Sequence, residues 1–475
     1  MLNKLRKPVI GVLLISPPRF RDLGEGTEHG AYCERKEKEA AQIIGRMSFA
    51  EIVFPGVVYT REDMAAAMKA YADAGIDMVF AGFLSWSDDF AWIRFLRDMP
   101  EIPVYFVGIS REEPGFDDSL DEDRFVEFLS AGGLVGTLEA SGSARRFARP
   151  MMRMKTGSMD EIMAETELMA RASALRRVLK DAVFGLLPSY NEVMWSTYVD
   201  PYALFMKAGP ELRFLKVAEL SRYVKAVSEE RTREAMRAIQ AVYPCRGEIN
   251  AEKMLASVEA SLAVEDMARS YGTELLVLND IDPILMSELG LRPGFTPCPG
   301  TKDIMVVPEG DVGAGLACYI LGKLTGGHVG YIEPFYVDRR IGAFAAGHAG
   351  PNDYTDPGGV TVLSTDARFA KSNFKHAGAP FAWHVFSPGM KTMLHVSQCG
   401  EGFKMACAVV TSLETEHFLA GYTHGVFKSG RPAEEFFTEL QRIGVTQHYA
   451  IADGDHTRQL AAVAELLGFE FYEIS

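Results

Sequence analysis

The feature that most constrains this chain is a series of continuously apolar segments in its first third, each followed by a helical pattern. "PVIGVLLIS" (8–16), "AEIVFPGVV" (50–58), "DMVFAGFLSW" (77–86) and "IPVYFVGIS" (102–110) show no polar alternation. Strands of this kind are buried on both faces, as in a parallel sheet covered by helices. The helices are expected around Glu34 to Arg46, from Thr60, where Thr-x-x-Asp supplies a cap, and from Ser87-Asp88. The layer is doubly wound and Rossmann-like. A charged helical stretch, Ser158 to Asp181, leads to "AVFGLLPS" (182–189). The same alternation then resumes to about residue 326, with helices at Ser228 to Val242 and Asn250 to Tyr271 and strands "ELLVLND" (274–280) and "DIMVVPE" (303–309).

After Gly326 the texture changes. "HVGYIEPFYVD", "GVTVLST", "PFAWHVFS", "KTMLHVSQ" and "FKMACAVVTSL" follow one another with Gly, Pro and Asn between them and little helix, a pattern of antiparallel sheet or barrel. A last α/β piece, from "AEEFFTELQRIG" to "FEFYEI", closes the chain. The expected fold is therefore two Rossmann-like α/β domains, 1–180 and 181–326, followed by a β-rich, antiparallel barrel-like domain, 327–475.

Several function classes are disfavoured. The connection after the first strand, "SPPRFRDLGEGTEHG", has no G-x-G-x-x-G, so a nicotinamide enzyme is not expected. With 49 Lys and Arg against 64 Asp and Glu, a formal charge of -15 and no basic cluster, neither nucleic acid nor a membrane surface is an expected partner. The six cysteines are scattered without a CxxC pair, which argues against a disulfide framework and a thiolate zinc site. The apolar run Val9 to Ile15 is followed by Pro17-Pro18 and reads as a first strand rather than an export signal. A cytoplasmic enzyme with a small, neutral substrate is the expectation.

Nine of the ten histidines lie between His328 and His456, in the strand-rich region where side chains are fixed well enough to hold a metal. Upstream, "VVPEGDVGAGL" (306–316) raises two readings. Its G-x-x-G-x-G order is wrong for a dinucleotide loop and lacks the Lys-Ser/Thr of a P-loop, but backbone amides at the start of a helix over 312–325 would suit phosphate. Alternatively Glu309, directly after a strand, faces the ligand crevice as a metal or acid/base group. Glu333 in "YIEPF" sits among apolar residues, where it either meets a cation, pairs with Arg339 or Arg340, or faces solvent. His348 stands between small residues in "AAGHAGPND", and His448 begins "HYAIADGD". Each histidine by itself reads equally as a satisfied core residue.

Together these four residues resemble the L-arabinose/L-fucose isomerase superfamily. That family carries a carboxylate at a strand end leading into a helix, a second about two dozen residues later, a histidine in a glycine-rich loop and a late histidine near a terminal strand and helix. Here they fall on Glu309, Glu333, His348 and His448, separated by 24, 15 and 100 residues. "LGLRPGFTPCPGTKDIMVVPEGD", "FLSWSDDFAWIRFL" and "DGDHTRQLAAVAELLGFEF" extend the similarity over most of the chain. The chain departs from the arabinose branch at Gln447, in the loop after His348, and at Ser16-Pro17-Pro18.

The resemblance implies an intramolecular oxidoreductase: an aldose–ketose isomerase working through an ene-diol. It implies Glu309 and Glu333 as the catalytic pair, and Glu309, Glu333, His348 and His448 as ligands of Mn²⁺, with Mg²⁺, Co²⁺ and Fe²⁺ as alternatives. It also implies a homo-oligomer, trimer or hexamer, whose neighbouring chains complete the sugar pocket. A metal-dependent sugar epimerase or dehydratase using the same ligands, and a non-catalytic sugar-binding protein, are the competing readings.

Overall fold

The computed structural model describes residues 4–17, 32–86, 89–120, 128, 130–301 and 303–474. They fall into two compact units, Arg6–Arg177 and a second formed by Met1–Leu5 with Val178–Ser475. No helix among the described residues is long and apolar enough to cross a membrane.

The first unit is a five-stranded parallel sheet of β1 (Val9–Ile15), β2 (Glu51–Val53), β3 (Met78–Phe83), β4 (Val104–Ile109) and β5 (Met152–Gly157), in the order β2-β1-β3-β4-β5. Strands β1, β3 and most of β4 are buried along their length, as expected from their lack of alternation. Their side chains join Trp92, Phe95, Phe106 and Tyr71 in one core.

Helix α1 is Tyr32–Gly45, α2 is Arg61–Ala74, α3 is Phe90–Asp98, α4 is Leu134–Arg146 and α5 is Met159–Asp181. The Thr60 cap forms in full: Thr60 Oγ1 accepts from the Asp63 amide at 3.2 Å, and Asp63 Oδ2 accepts from the Thr60 amide at 2.9 Å. Two details differ from expectation. The strand at 50–58 stops at Val53, because Pro55 has no amide to donate and Gly56 takes φ +125°; one bridge, Ile15 to Val58, continues it. The edge strand β5, "MRMKTG", was not anticipated, because only one of its faces is covered and its pattern is polar. The helix start at Ser87-Asp88 and most of the "SPPRFRDLGEGTEHG" connection lie outside the described residues.

The second unit opens with a four-stranded parallel sheet of β6 (Val183–Leu187), β7 (Glu211–Phe214), β8 (Leu275–Leu278) and β9 (Met305–Val307), ordered β7-β6-β8-β9. Helices α6 (Glu229–Val242) and α7 (Ala251–Ser270) start at the N-caps Ser228 and Asn250. Helix α8 is Pro283–Leu289 and α9 is Val312–Thr325. Helix α9 is buried on every side, because it packs against β8 and β9 as well as against strands of the following sheet.

That sheet has nine strands: β10 (Gly330–Asp338), β11 (Ala343–His348), β12 (Val360–Thr365), β13 (Pro380–Val385), β14 (Gly389–Cys399), β15 (Gly402–Leu413), β16 (Thr423–Ser429), β17 (Tyr449–Asp453) and β18 (Glu470–Ile474). The pairings β16-β11-β10-β17-β14-β15-β16 are all antiparallel and close a ring of six. Ile332, Phe344, Met393, Phe427 and Ile451 belong to its core. Helices α10 (Ala433–Ile443) and α11 (Thr457–Leu467) follow β16 and β17.

Three features correct the sequence reading. The last α/β piece is not appended to the β-rich part: β17 lies inside the ring between β10 and β14, and β18 pairs parallel with β15. Ala343–His348 is a strand whose small side chains gave no β signal, so His348 ends a strand rather than sitting in a loop. Strand β16 was also missed. Its partners β11 and β15 are far from each other in sequence, so its pairing has no local signature.

Candidate metal centre

The C-terminal edge of the central sheet delivers carboxylates. Asp280 follows β8, Glu309 and Asp311 follow β9, and each strand end opens toward the ring formed by the second sheet. Glu309 has φ +62°, a left-handed conformation that costs a non-glycine residue about 1–2 kcal/mol. Its surroundings impose that geometry. The Glu309 amide donates to Asp280 Oδ1 at 3.0 Å, Asp280 Oδ2 pairs with Arg292 Nε, and Arg292 Nη2 donates to the carbonyl of Ala349 at 2.8 Å. One buried ion pair thus ties the Glu309 turn to the residue after His348. Gly350, at φ +96°, is needed for this clamp, since a Cβ there would come within 2.2 Å of Asp280 Oδ2.

Long-range pairing places the histidines. His348 ends β11 opposite Thr423, and His448 immediately precedes β17; their side chains are 1% and 0% exposed. Glu309, His348 and His448 each offer a ligand atom, and these atoms lie within 4.8 Å of one another. The Nε2 atoms of His348 and His448 are 3.7 and 3.6 Å from Glu309 Oε2. On the opposite side of each ring, Nδ1 is held by an oxygen: His348 by the Ala349 carbonyl at 2.5 Å, His448 by Asp311 Oδ2 at 2.9 Å. An Nδ1–H donating to such acceptors leaves the Nε2 lone pair directed inward, the arrangement of metal-binding imidazoles. Both Nε2 atoms are buried and have no hydrogen-bond partner among the described residues. Two orphaned acceptors beside a carboxylate are what a divalent cation would satisfy.

The electrostatics agree. Burial pushes the Glu309 carboxyl up, but the imidazoles of His348 and His448 outweigh it and hold Glu309 well below the usual carboxylate range. Burial pushes His448 down, and the neighbouring carboxylates of Asp311 and Glu309 overcome it, raising the imidazole to about 9. Tyr331 stands edge-on to His348 and tilted to His448, with ring centroids 4.9 Å from each. Its hydroxyl is raised well above the phenolic range by burial, then by Asp311, Glu309 and Glu333.

Glu333 is not among the three mutually close ligands. It lies half-buried on β10, opposite Gly347 and so one residue along from the His348 pair. Neither arginine considered as its partner takes that role: Arg339 pairs with Glu434 and Arg340 with Asp338.

The glycines of "GDVGAGL" also find their explanation. Asp311 caps α9, its Oδ1 accepting from the Ala314 amide at 2.9 Å, so the helix start already holds a carboxylate where phosphate would sit. A Cβ on Gly313 would lie 2.5 Å from the Val396 carbonyl, and one on Gly315 would lie 3.0 Å from Val277. These glycines let α9 approach both sheets.

Sequence reasoning missed Asp280, Asp311, Arg292 and Tyr331. Asp280 and Asp311 were legible by the rule that singled out Glu309, since they stand two and four residues past the ends of apolar strands. Arg292 and Tyr331 act through contacts with no local signature.

No family model matches the chain. It is 22% identical over 419 residues to proteins named sulfoquinovose isomerase from Priestia aryabhattai and Priestia megaterium, covering 87% of this chain and 89% of each relative. The similarity supports a sugar isomerase, and with it an enzyme of the aldose–ketose isomerase type.

Proposed function

We propose that this protein is a metal-dependent aldose–ketose isomerase whose ion is held by Glu309, His348 and His448, with Glu333 completing the site. The observation that carries the reading is the pair of buried, unpartnered Nε2 atoms facing Glu309 Oε2. A mixed imidazole and carboxylate set with room for water suits Mn²⁺ first, then Co²⁺ and Fe²⁺; Mg²⁺ comes last because two donors are nitrogens. When bound, such an ion supplies Lewis acidity that polarises a carbonyl and acidifies the neighbouring C–H.

The chain's own residues do the rest. Asp311 and the Ala349 carbonyl fix the two imidazoles, and the Asp280–Arg292 pair fixes the Glu309 turn. Of the two glutamates, one takes the proton from carbon 2 as the electron pair forms the carbon 1–carbon 2 double bond, and returns it to carbon 1. The other carries the proton between the two oxygens through the ene-diol. General acid/base catalysis of this kind contributes about 10²–10⁴ in rate. Tyr331, with its hydroxyl held protonated, closes the apolar wall behind the imidazoles.

The relatives are named for sulfoquinovose, an aldose bearing a sulfonate, and that sugar is the first substrate to test. A trimer or hexamer in which neighbouring chains complete the pocket is part of the same proposal. The test is proton NMR of candidate aldoses with the purified protein and Mn²⁺ in D₂O. A ketose deuterated at carbon 1 is expected; a new aldose would make the enzyme an epimerase, and no exchange with any sugar would remove the reading.

A further inference from the structure

Building on the isomerase reading, we infer that Arg368 is a substrate-binding residue that receives an oxyanion on the sugar, so that the substrate is an acidic sugar rather than a neutral one. Arg368 Nη1 stands 3.9 Å from Glu309 Oε1, beyond hydrogen-bond range. It is on the opposite carboxylate oxygen from the one the histidines face, since both Nε2 atoms approach Oε2. The guanidinium therefore flanks the cluster at the carboxylate oxygen the imidazoles leave free.

Arg368 is positioned there with no side-chain hydrogen bond among the described residues. Its backbone amide donates to Asp366 Oδ1 at 2.8 Å, and its guanidinium carbon lies 5.6 and 5.9 Å from the ring centroids of Phe369 and Tyr422. Contacts with ring faces orient the planar group and leave its N–H fork available. The side chain is 34% exposed while those of His348 and His448 are almost completely buried. The guanidinium thus belongs to a partly exposed side chain that approaches a buried carboxylate. A pre-oriented fork of this kind is a receptor for sulfonate, phosphate or carboxylate oxygens.

The neighbouring guanidinium, Arg292, is held by the Asp280 carboxylate, whereas the ion pair that Arg368 makes among the described residues is the longer 3.9 Å approach to Glu309.

The experiment is calorimetric titration of the full-length protein, loaded with Mn²⁺, with a neutral hexitol, its 6-sulfonate and its 6-phosphate. None has a carbonyl, so the readout is binding rather than turnover. The wild type is expected to bind one acidic hexitol at least about ten-fold more tightly than the neutral one, and the stronger of the two acids identifies the group. Arg368→Gln should abolish that preference. Equal binding of neutral and acidic hexitols by the wild type, undetectable binding included, overturns the inference, as does a preference that survives in the variant. If Arg368→Gln does not fold, Arg368→Lys decides, because it keeps the charge without the planar fork: a preference reduced at least about three-fold supports the role and an unchanged one overturns it. Failure to isomerise any sugar would remove the preceding reading, while the hexitol preference would still report on Arg368.

Discussion

The two parallel sheets of this protein end differently at their C-terminal edges. In the first unit, Ser16 after β1 and Ser85 after β3 meet Tyr32 in a buried triangle of hydroxyls, with oxygen separations of 2.5, 2.8 and 2.9 Å. A hydroxyl can both donate and accept, so the three can bond to one another without a charged partner. In the second unit the same edge carries Asp280, Glu309 and Asp311. Ionised carboxylates only accept, so they gather donors: Arg292 beside Asp280 and the His448 imidazole beside Asp311, with Arg368 3.9 Å from the outer oxygen of Glu309. The two edges share a scaffold and differ in the residue type that follows each strand, hydroxyls on the first and carboxylates on the second.

The largest test of this contrast converts the reactive edge toward the closed one. Glu309→Gln and Glu333→Gln should each lower kcat by at least about 10²-fold, while thermal melts followed by circular dichroism keep their midpoint within a few degrees. Near-normal turnover by either variant would remove that glutamate from the chemistry.

Asp311 comes next, because it serves both the fold and the site. Asp311→Asn keeps a good helix cap but withdraws the charge from His448, and should weaken Mn²⁺ binding by about 10–100-fold with little change in stability. Asp311→Ala should add a loss of about 1 kcal/mol from the missing cap. Equal metal affinity in wild type and Asp311→Asn, read by isothermal titration, would reduce Asp311 to a cap.

A third test uses a buried carboxylate with no ion-pair partner within 4 Å among the described residues. Glu265 on α7 is fully buried, with Oε1 accepting from the Cys298 amide at 3.0 Å, and burial pushes its carboxyl up to about 7. Its folded value lies above the ordinary 4.5, so its contribution to stability is intact below about 4.5 and lost as pH rises through about 7. Glu265→Gln should therefore raise stability at pH 8 by on the order of 2–3 kcal/mol and change nothing at pH 4. A gain of equal size at both pH values would contradict the assignment of a buried, protonated acid.

The smallest effect belongs to the closed edge. Tyr32→Phe leaves Ser16 and Ser85 bonded to each other at 2.8 Å, and should cost about 1 kcal/mol in chemical denaturation without affecting turnover.

Much of this contrast could be read from sequence. The continuous apolar strands announced parallel sheets, Thr60, Ser228 and Asn250 announced helix starts, and Glu309 drew attention because it follows a strand. Asp280 and Asp311 obey the same rule, yet Asp280 reads as a turn residue before Asp282 and Pro283, and Asp311 as a helix cap, so their links to Glu309 and His448 appear only when the chain is folded. The meeting of His348 with His448 depends on closure of the six-stranded ring, and β11 and β16, which complete that ring, had no periodic signal of their own. Arg368 lies in a connection between strands, where local pattern gives no direction.

The most direct measurement is equilibrium Mn²⁺ binding by the purified full-length chain, followed through the electron paramagnetic resonance of free Mn²⁺, for the wild type and a His348→Ala, His448→Ala double variant. One ion per chain in the wild type and none in the double variant is the predicted result. A wild type that takes up no ion at millimolar Mn²⁺, or a double variant that still binds one, would contradict the convergence of Glu309, His348 and His448 on a single cation.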